Sequence, residues 1–167
     1  MHGLSDRCGI ALSLRHPLIC PLLTGDYQTG KKRLAMTFDD DHPIWDNFSG
    51  GDGHRGHADW SATDGPRAAA FYEAMDDRAR SFLDLLIDRP GELLDAGWIA
   101  DEMFGSDPAA DKTGRRRRVA RSIRGMSAAH TTSGLRYPFK WFKGRNGAAT
   151  QYGMRPHVAA LFRAARR

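Results

Sequence analysis

Apolar residues recur every three or four positions from residue 66 onward, which is the period of an α-helix that buries one face. The members of this stripe are Phe71, Met75, Ala79, Phe82 and Leu86. Pro66 suits the first turn of a helix, and Pro90 and Gly91 end the pattern. The spacing therefore predicts a single amphipathic helix of about five turns between these signals.

A second, shorter apolar pattern follows in ELLDAGWIADEMFG, residues 92–105. Leu93 and Leu94 predict either a very short strand or the packing end of a loop. Asp95 is a favourable N-cap and Gly105 is a favourable stop, so a short helix is expected between them. Residues 106–114 then have the composition of a turn.

The next predicted helix, over residues 113–129, combines an apolar stripe with dense positive charge. Val119, Ile123 and Met126 share one face, while six arginines lie within residues 113–126. A disordered basic tail needs no apolar stripe, and an ordinary core helix does not need six arginines. The pattern therefore predicts a helix that packs on one side and faces a polyanion on the other. Residues 130–134 are expected to break it.

Residues 135–154 predict a β-hairpin. The segment LRYPFKWFK has the alternation of a strand, and TQYGM returns as the second strand. Asn146 and Gly147 between them favour a tight turn. Alternation places Tyr137, Phe139 and Trp141 on one face, which we expect to pack against the core.

The two ends of the chain differ in order. Pro156 is expected to open a last helix that buries Val158, Leu161 and Phe162. Residues 1–65 keep no period of helix or strand, so they predict a poorly ordered leader. The expected domain therefore spans residues 66–167, and its fold class is mainly α with a small β-hairpin after a largely irregular N-terminal segment. We also hypothesise that native translation begins at Met36.

Charge divides the chain sharply. Residues 112–167 hold 15 of the 25 lysines and arginines and none of the 20 acidic residues, so they carry +15, whereas residues 1–111 carry −10. A region without acids repels cations and attracts phosphates. The basic third of the chain therefore predicts a polyanionic partner.

The order of elements carries a resemblance. Two helices joined by a turn, the second of them basic, are followed at once by a hairpin, and this order resembles the winged helix-turn-helix superfamily. More narrowly, RYPFKWFKGRNGAATQYGMRPHVAALFRAAR, residues 136–166, is similar to a little-characterised group of actinobacterial winged-helix proteins. The resemblance covers residues 66–167. It implies binding to double-stranded DNA and a role in transcription regulation.

Helical spacing selects the residues that would contact DNA. Arg117, Arg121 and Arg124 form a stripe apart from the apolar face, and Arg118 and Ser122 lie beside it. Arg117, Arg121 and Ser122 are expected on the floor of the major groove, because arginine matches the acceptors of guanine. Phosphate contacts are expected at the helix start and on the hairpin, from Lys112, Arg115, Arg116, Lys140, Lys143 and Arg145. The alternative is a solvated basic face without a partner.

The sequence gives little sign of catalysis. Asp52, His54, His57 and Asp59 lie close together but lack the spacing of a zinc-protease motif. We expect no enzyme, no metal site and no cofactor. A weak alternative is a nucleic-acid enzyme that uses the acidic run 39–41, and these acids could also screen the basic helix. Another alternative is a winged-helix module that binds protein within a larger complex.

Cysteine content and hydropathy indicate the cellular compartment, and the resemblance suggests the oligomeric state. The two cysteines, Cys8 and Cys20, form no disulfide framework and suggest unpaired thiols in a reducing compartment. No apolar run approaches the length of a membrane span. A cytoplasmic protein without a membrane partner is expected. A homodimer on two half-sites is a further expectation, since many DNA-binding domains of this kind pair in that way.

Overall fold

The fold is mainly helical with a small antiparallel sheet, as predicted. The computed structural model describes residues 36–49, 56–106, 109, 111–144 and 149–167. Within these ranges the helices are α1 (Gly65–Glu73), α2 (Asp77–Ile87), α3 (Ala96–Phe104), α4 (Lys112–Arg124), α5 (Ser127–Ser133) and α6 (Pro156–Ala165). The strands are β1 (Leu94–Asp95), β2 (Lys140–Phe142) and β3 (Gln151–Gly153).

The predicted single helix after residue 66 is wrong, because α1 and α2 are separate. Asp76 lies between them with extended backbone, and its carboxylate accepts a hydrogen bond from the Ala79 amide at 2.8 Å. This is an N-cap, which starts a new helix in a new direction. The apolar period continues through the break, since Phe71, Met75 and Phe82 are all buried in the same core.

The predicted helix over residues 113–129 is also two helices. A break at Gly125 and Met126 separates α4 from α5. A β-carbon at Gly125 would overlap the Asp76 carboxylate, so the start of α2 crosses the chain closely at this break. The predicted stop at residues 130–134 is wrong as well, because α5 continues to Ser133. Gly134, at φ 65°, ends it in the left-handed conformation that glycine favours.

The three strands form one antiparallel sheet in the order β1-β3-β2. Tyr152 of β3 lies opposite both Leu94 and Trp141, which confirms the hairpin and the short-strand alternative before α3. The predicted turn at Asn146 and Gly147 lies outside the described residues. One face of the sheet packs on the helices, where Tyr152 and Phe139 contact the ring of Phe82.

Two buried tryptophans contradict the predicted disorder of residues 36–65, at least within 36–49 and 56–65. Trp45, in a 3-10 helix over Pro43–Asp46, is completely buried. A β-carbon at Gly153 would come within 3.2 Å of its ring, so Trp45 covers the sheet face opposite Tyr152. Trp60 packs edge-on against Phe71 and Phe162. The folded unit therefore starts before residue 66.

Backbone hydrogen bonds tie the same segment to both edges of the sheet. The Phe38 amide donates to the Gly91 carbonyl at 2.9 Å, just before β1. The Ser49 amide donates to the Trp141 carbonyl of β2 at 2.7 Å. Residues 1–35, with Cys8 and Cys20, lie outside the described part of the chain. Among the described helices, none is long and apolar enough to cross a membrane.

Candidate nucleic-acid interface

Helix α4 is fixed on one side by burial. Val119 and Met126 are completely buried, and the helix packs against α2 and α3. Its first turn is capped by Asp111, whose carboxylate accepts the Gly114 amide at 2.6 Å. The sequence prediction of an arginine-rich helix with one packed face is therefore confirmed.

The opposite side of α4 presents a row of exposed arginines. Arg117, Arg121 and Arg124 follow one another at intervals of four and three, so they share the outer face. In the part of the chain that the structure describes, no hydrogen bond or ion pair engages their side chains. Like charges at this spacing destabilise a helix by about 0.2–0.5 kcal/mol per pair. The buried face of α4 has to offset that cost.

The first arginines of α4 flank this row. Arg115 is mostly buried, and its guanidinium forms an ion pair with Asp101 of α3 at 3.2 Å. Arg116 is exposed, and its charge opposes the rise in the Tyr152 pKa that burial of that phenol causes. Lys112 is exposed at the helix start. Asp111 already accepts the Gly114 amide there.

Ser122 cannot contact a groove floor in this structure, so its prediction as a DNA contact is wrong. Its side chain is 0% exposed, and its hydroxyl donates towards the Arg118 carbonyl at 3.5 Å. The residue lies beside Val119 on the helical wheel, at the edge of the packed face. A small hydroxyl fits that edge because it bonds back to its own helix.

Lys140 is likewise enclosed, and its prediction as an outward phosphate contact is wrong. It is 7% exposed, its ammonium pairs with Asp59 at 3.4 Å, and it lies 4.1 Å above the Phe48 ring. Burial lowers the pKa of Lys140, while the carboxylate of Asp59 acts in the opposite direction. The N-terminal segment therefore converts this lysine from a surface charge into a structural ion pair.

The hairpin keeps one exposed cation among its described residues near the tip. Lys143 is exposed, and its backbone amide donates to the Ser49 hydroxyl at 2.9 Å. Arg136 at the hairpin base forms an ion pair with Asp59 at 3.3 Å. Arg145 lies outside the described residues, so its predicted role stays a prediction.

Two residues near the arginine row were missed by the sequence prediction. Arg78 of α2 and Phe104 of α3 line a cleft together with Arg118 and Arg121, and the cleft has a volume of about 200 Å³. Arg78 is distant in sequence from the arginine-rich helix, so no sequence pattern singled it out. Its approach to α4 depends on how α2 crosses α4, which no local pattern encodes.

One protein family matches most of the chain. A family profile matches residues 65–167, from the start of α1 to Arg167. The chain belongs to the DUF6416 family. DUF6416 is described as a family of unknown function. No curated protein and no solved structure matches the chain.

The DUF6416 match includes α4 and the cleft, whereas the segment that carries Trp45 and Trp60 precedes it. The acids of that segment do not reach α4 in this structure. Asp40 bonds to the His157 ring nitrogen at 2.6 Å, and Asp46 pairs with Arg155 at 3.2 Å. Among the described residues, no ion pair joins the acidic run 39–41 to α4, so their screening of the basic helix stays a hypothesis.

The described residues contain no group of three or more His, Cys, Asp or Glu side chains that could hold a metal ion. His57 Nδ1 lies 3.2 Å from the Gly134 carbonyl, and Asp59 is engaged by Arg136 and Lys140. Asp52 and His54 lie outside the described residues.

Proposed function

We propose that this protein binds double-stranded DNA and regulates transcription, with α4 in the major groove. The observation that carries this proposal is the row of Arg117, Arg121 and Arg124 on the outer face of a helix whose other face is buried. A helix of this kind offers a preorganised array of cations at the width of a major groove. Arginine can pair in a fork with guanine or with phosphate.

The topology supports a winged helix-turn-helix assignment. From α2 onward the order is helix, strand, helix, basic helix and hairpin, and β3 lies between β1 and β2. This arrangement is typical of winged-helix domains, where the hairpin extends beside the recognition helix. Helix α5, inserted between α4 and the hairpin, departs from the simplest form of that pattern.

The proposed contacts divide into two groups. The outer arginines of α4 would meet base edges and adjacent phosphates, and exposed cations around them would meet phosphates only. The resulting set is Lys112, Arg116, Arg117, Arg121, Arg124 and Lys143. Such a role would place the protein with chromosomal DNA in the cytoplasm, and a homodimer would give two recognition helices for two half-sites.

Titration of duplex DNA of random sequence, followed by fluorescence anisotropy over a series of salt concentrations, tests the proposal. The slope of log K against log salt is expected to be about −5, because about six cations meet phosphates and each contributes roughly −0.9. If the wild-type protein does not bind duplex DNA at low salt, the proposal fails. The protein-interaction alternative would then be favoured, with an acidic protein as partner.

Three variants locate the interface. Arg121→Glu is expected to weaken DNA binding by about tenfold or more, since it replaces a central cation with an anion. Arg167→Glu makes the same charge change at the end of the chain and should alter binding by no more than about threefold, through the general field alone. Ser122→Ala should leave affinity unchanged because Ser122 is buried. Equal losses for the two charge reversals would argue against a defined interface.

A further inference from the structure

The cleft beside α4 gathers three guanidinium groups from two helices. Arg78 comes from the first turn of α2, Arg118 from the middle of α4 and Arg121 from its last turn. Buried neighbours fix both backbones, since Ala79 and Val119 are completely buried. The two helices therefore hold the bases of these side chains close together even though like charges repel.

The two acids that precede Arg78 in the sequence are engaged elsewhere. Asp76 accepts the Ala79 amide, and Asp77 pairs with Arg80 at 3.4 Å. Within the described residues, no hydrogen bond or ion pair engages the side chain of Arg78 or Arg121. Among the described residues, the lining of the cleft contains no carboxylate. An anion placed there would be attracted by the guanidinium groups of Arg78 and Arg121.

Phe104 gives the cleft an apolar wall. It is one of the large apolar residues left exposed in the described chain, at 38%. The volume of about 200 Å³ is well above the roughly 10–15 Å³ that admits one water molecule. A cluster of arginines beside an exposed aromatic ring suits a ligand that joins an anionic group to a planar or apolar one.

We propose that this cleft binds a phosphate ester, with Arg78 and Arg121 around the phosphate and the Phe104 ring against the attached sugar or base. Two sources have this chemistry: a phosphate of the DNA backbone next to the α4 contacts, and a free nucleotide. The inference rests on the proposed function for the first source only. Arg121 belongs both to the cleft and to the outer arginine row of α4 that would contact DNA. A free nucleotide in the cleft would therefore compete with DNA.

The first experiment measures ligand binding without DNA. The full-length protein is titrated calorimetrically with 5′-AMP, inorganic phosphate and adenosine. For a free-nucleotide site, AMP binds more tightly than phosphate, and adenosine does not bind. Arg78→Gln then weakens AMP binding by about tenfold, because a charge-assisted hydrogen bond is lost. Phe104→Ala weakens the binding of AMP but not that of inorganic phosphate.

The matched control is Arg167→Gln, which removes the same charge at a residue that follows α6. Its neighbour Arg166 pairs with Asp84 and Asp88 in the C-terminal part of that helix. This control should leave AMP binding unchanged. Circular dichroism of each variant confirms that exposed Arg78 can be replaced without loss of the fold.

The second experiment repeats the salt titration with duplex DNA. If the cleft takes a backbone phosphate, Arg78→Gln makes the slope less negative by about 0.9, and Arg167→Gln does not. A change in the DNA slope without AMP binding assigns the site to the DNA backbone. AMP binding that depends on Arg78, in a protein that does not bind DNA, supports the cleft and overturns the proposed function. If Arg78→Gln matches Arg167→Gln in both experiments, the cleft proposal is overturned.

Discussion

At the scale of single residues, the cations of the basic third of the chain separate by burial. Arg117, Arg121 and Arg124 remain on the surface, whereas Arg115 and Lys140 each lie against a carboxylate. A buried cation without its partner is costly, so the paired residues are fixed for structural reasons. The composition of the sequence could not distinguish the two groups, because the partners Asp101 and Asp59 come from distant segments.

A second residue-scale feature, Tyr72, predicts a dependence of stability on alkaline pH. Its phenol donates to Asp84 Oδ1 at 2.9 Å, and burial together with that carboxylate raises the pKa of Tyr72 to about 12. The folded state therefore favours the protonated phenol more than the unfolded state does, where the pKa stays near 10. Its contribution is present below pH 10 and is lost as the pH rises towards 12.

Urea denaturation of the wild type and Tyr72→Phe tests this. Below pH 10 the wild type should be more stable by about 1 kcal/mol, the usual value of such a hydrogen bond. Between pH 10 and 12 the difference should shrink and then reverse, because only the wild type carries the phenol. A difference that stays constant across this range would contradict the assigned pKa.

At the scale of elements, most helices and strands were predictable and their interruptions were not. Helix α3 begins after Asp95 and ends before Gly105, as the local signals indicate. The breaks at Asp76 and Gly125 lie inside patterns whose apolar period is continuous, so the period alone predicted longer helices. Both breaks meet at one tertiary contact, the approach of the Asp76 carboxylate to Gly125. A contact between residues so far apart in sequence leaves no local signal.

Replacement of Gly125 by alanine tests that contact. The new β-carbon would overlap the Asp76 carboxylate, which would have to move from the Ala79 amide that it caps, so Gly125→Ala should lower the free energy of unfolding by about 0.5–2 kcal/mol. Gly65→Ala is the matched control, because no atom lies within 4 Å of its β-carbon position, and it should be neutral or slightly stabilising. The double variant Gly125→Ala with Asp76→Ser keeps a capping hydroxyl and should recover part of the loss. Equal stability of the two alanine variants would show that the close approach is unimportant.

At the scale of the whole molecule, charge pairing concentrates the basic surface on α4. The sequence shows that the last third of the chain is basic. It does not show which of those cations are neutralised by acids of the first two thirds. Asp40, Asp46 and Asp59 bond to residues of the hairpin and α6, while the outer arginines of α4 keep no such partner in the described chain. The resulting asymmetry gives the molecule one strongly positive face, which would steer polyanions towards it.

The N-terminal segment was the largest error of the sequence prediction, and its physical reason is specific. Trp45 and Trp60 anchor the segment by single large side chains, and the intervening residues are short and polar. Such anchoring has no period of 2 or 3.6, so pattern analysis assigned disorder. Helix α4 was predicted more accurately than this segment, since it has its own periodicity. The position of Arg78 beside α4 depends on tertiary packing.

Trp45 gives a decisive test of whether this segment belongs to the folded unit. Because its side chain is completely buried over the sheet, Trp45→Ala should lower the free energy of unfolding by about 3–5 kcal/mol. Met36→Ala, at a residue 69% exposed, should change stability by less than about 0.5 kcal/mol. A dispensable leader predicts instead that both substitutions are neutral. Asp59, the partner of Lys140, would lose its fixed position with the segment, so Trp45→Ala should also expose Lys140. Urea denaturation measures the loss of stability. The reactivity of Lys140 towards an acylating reagent measures its exposure.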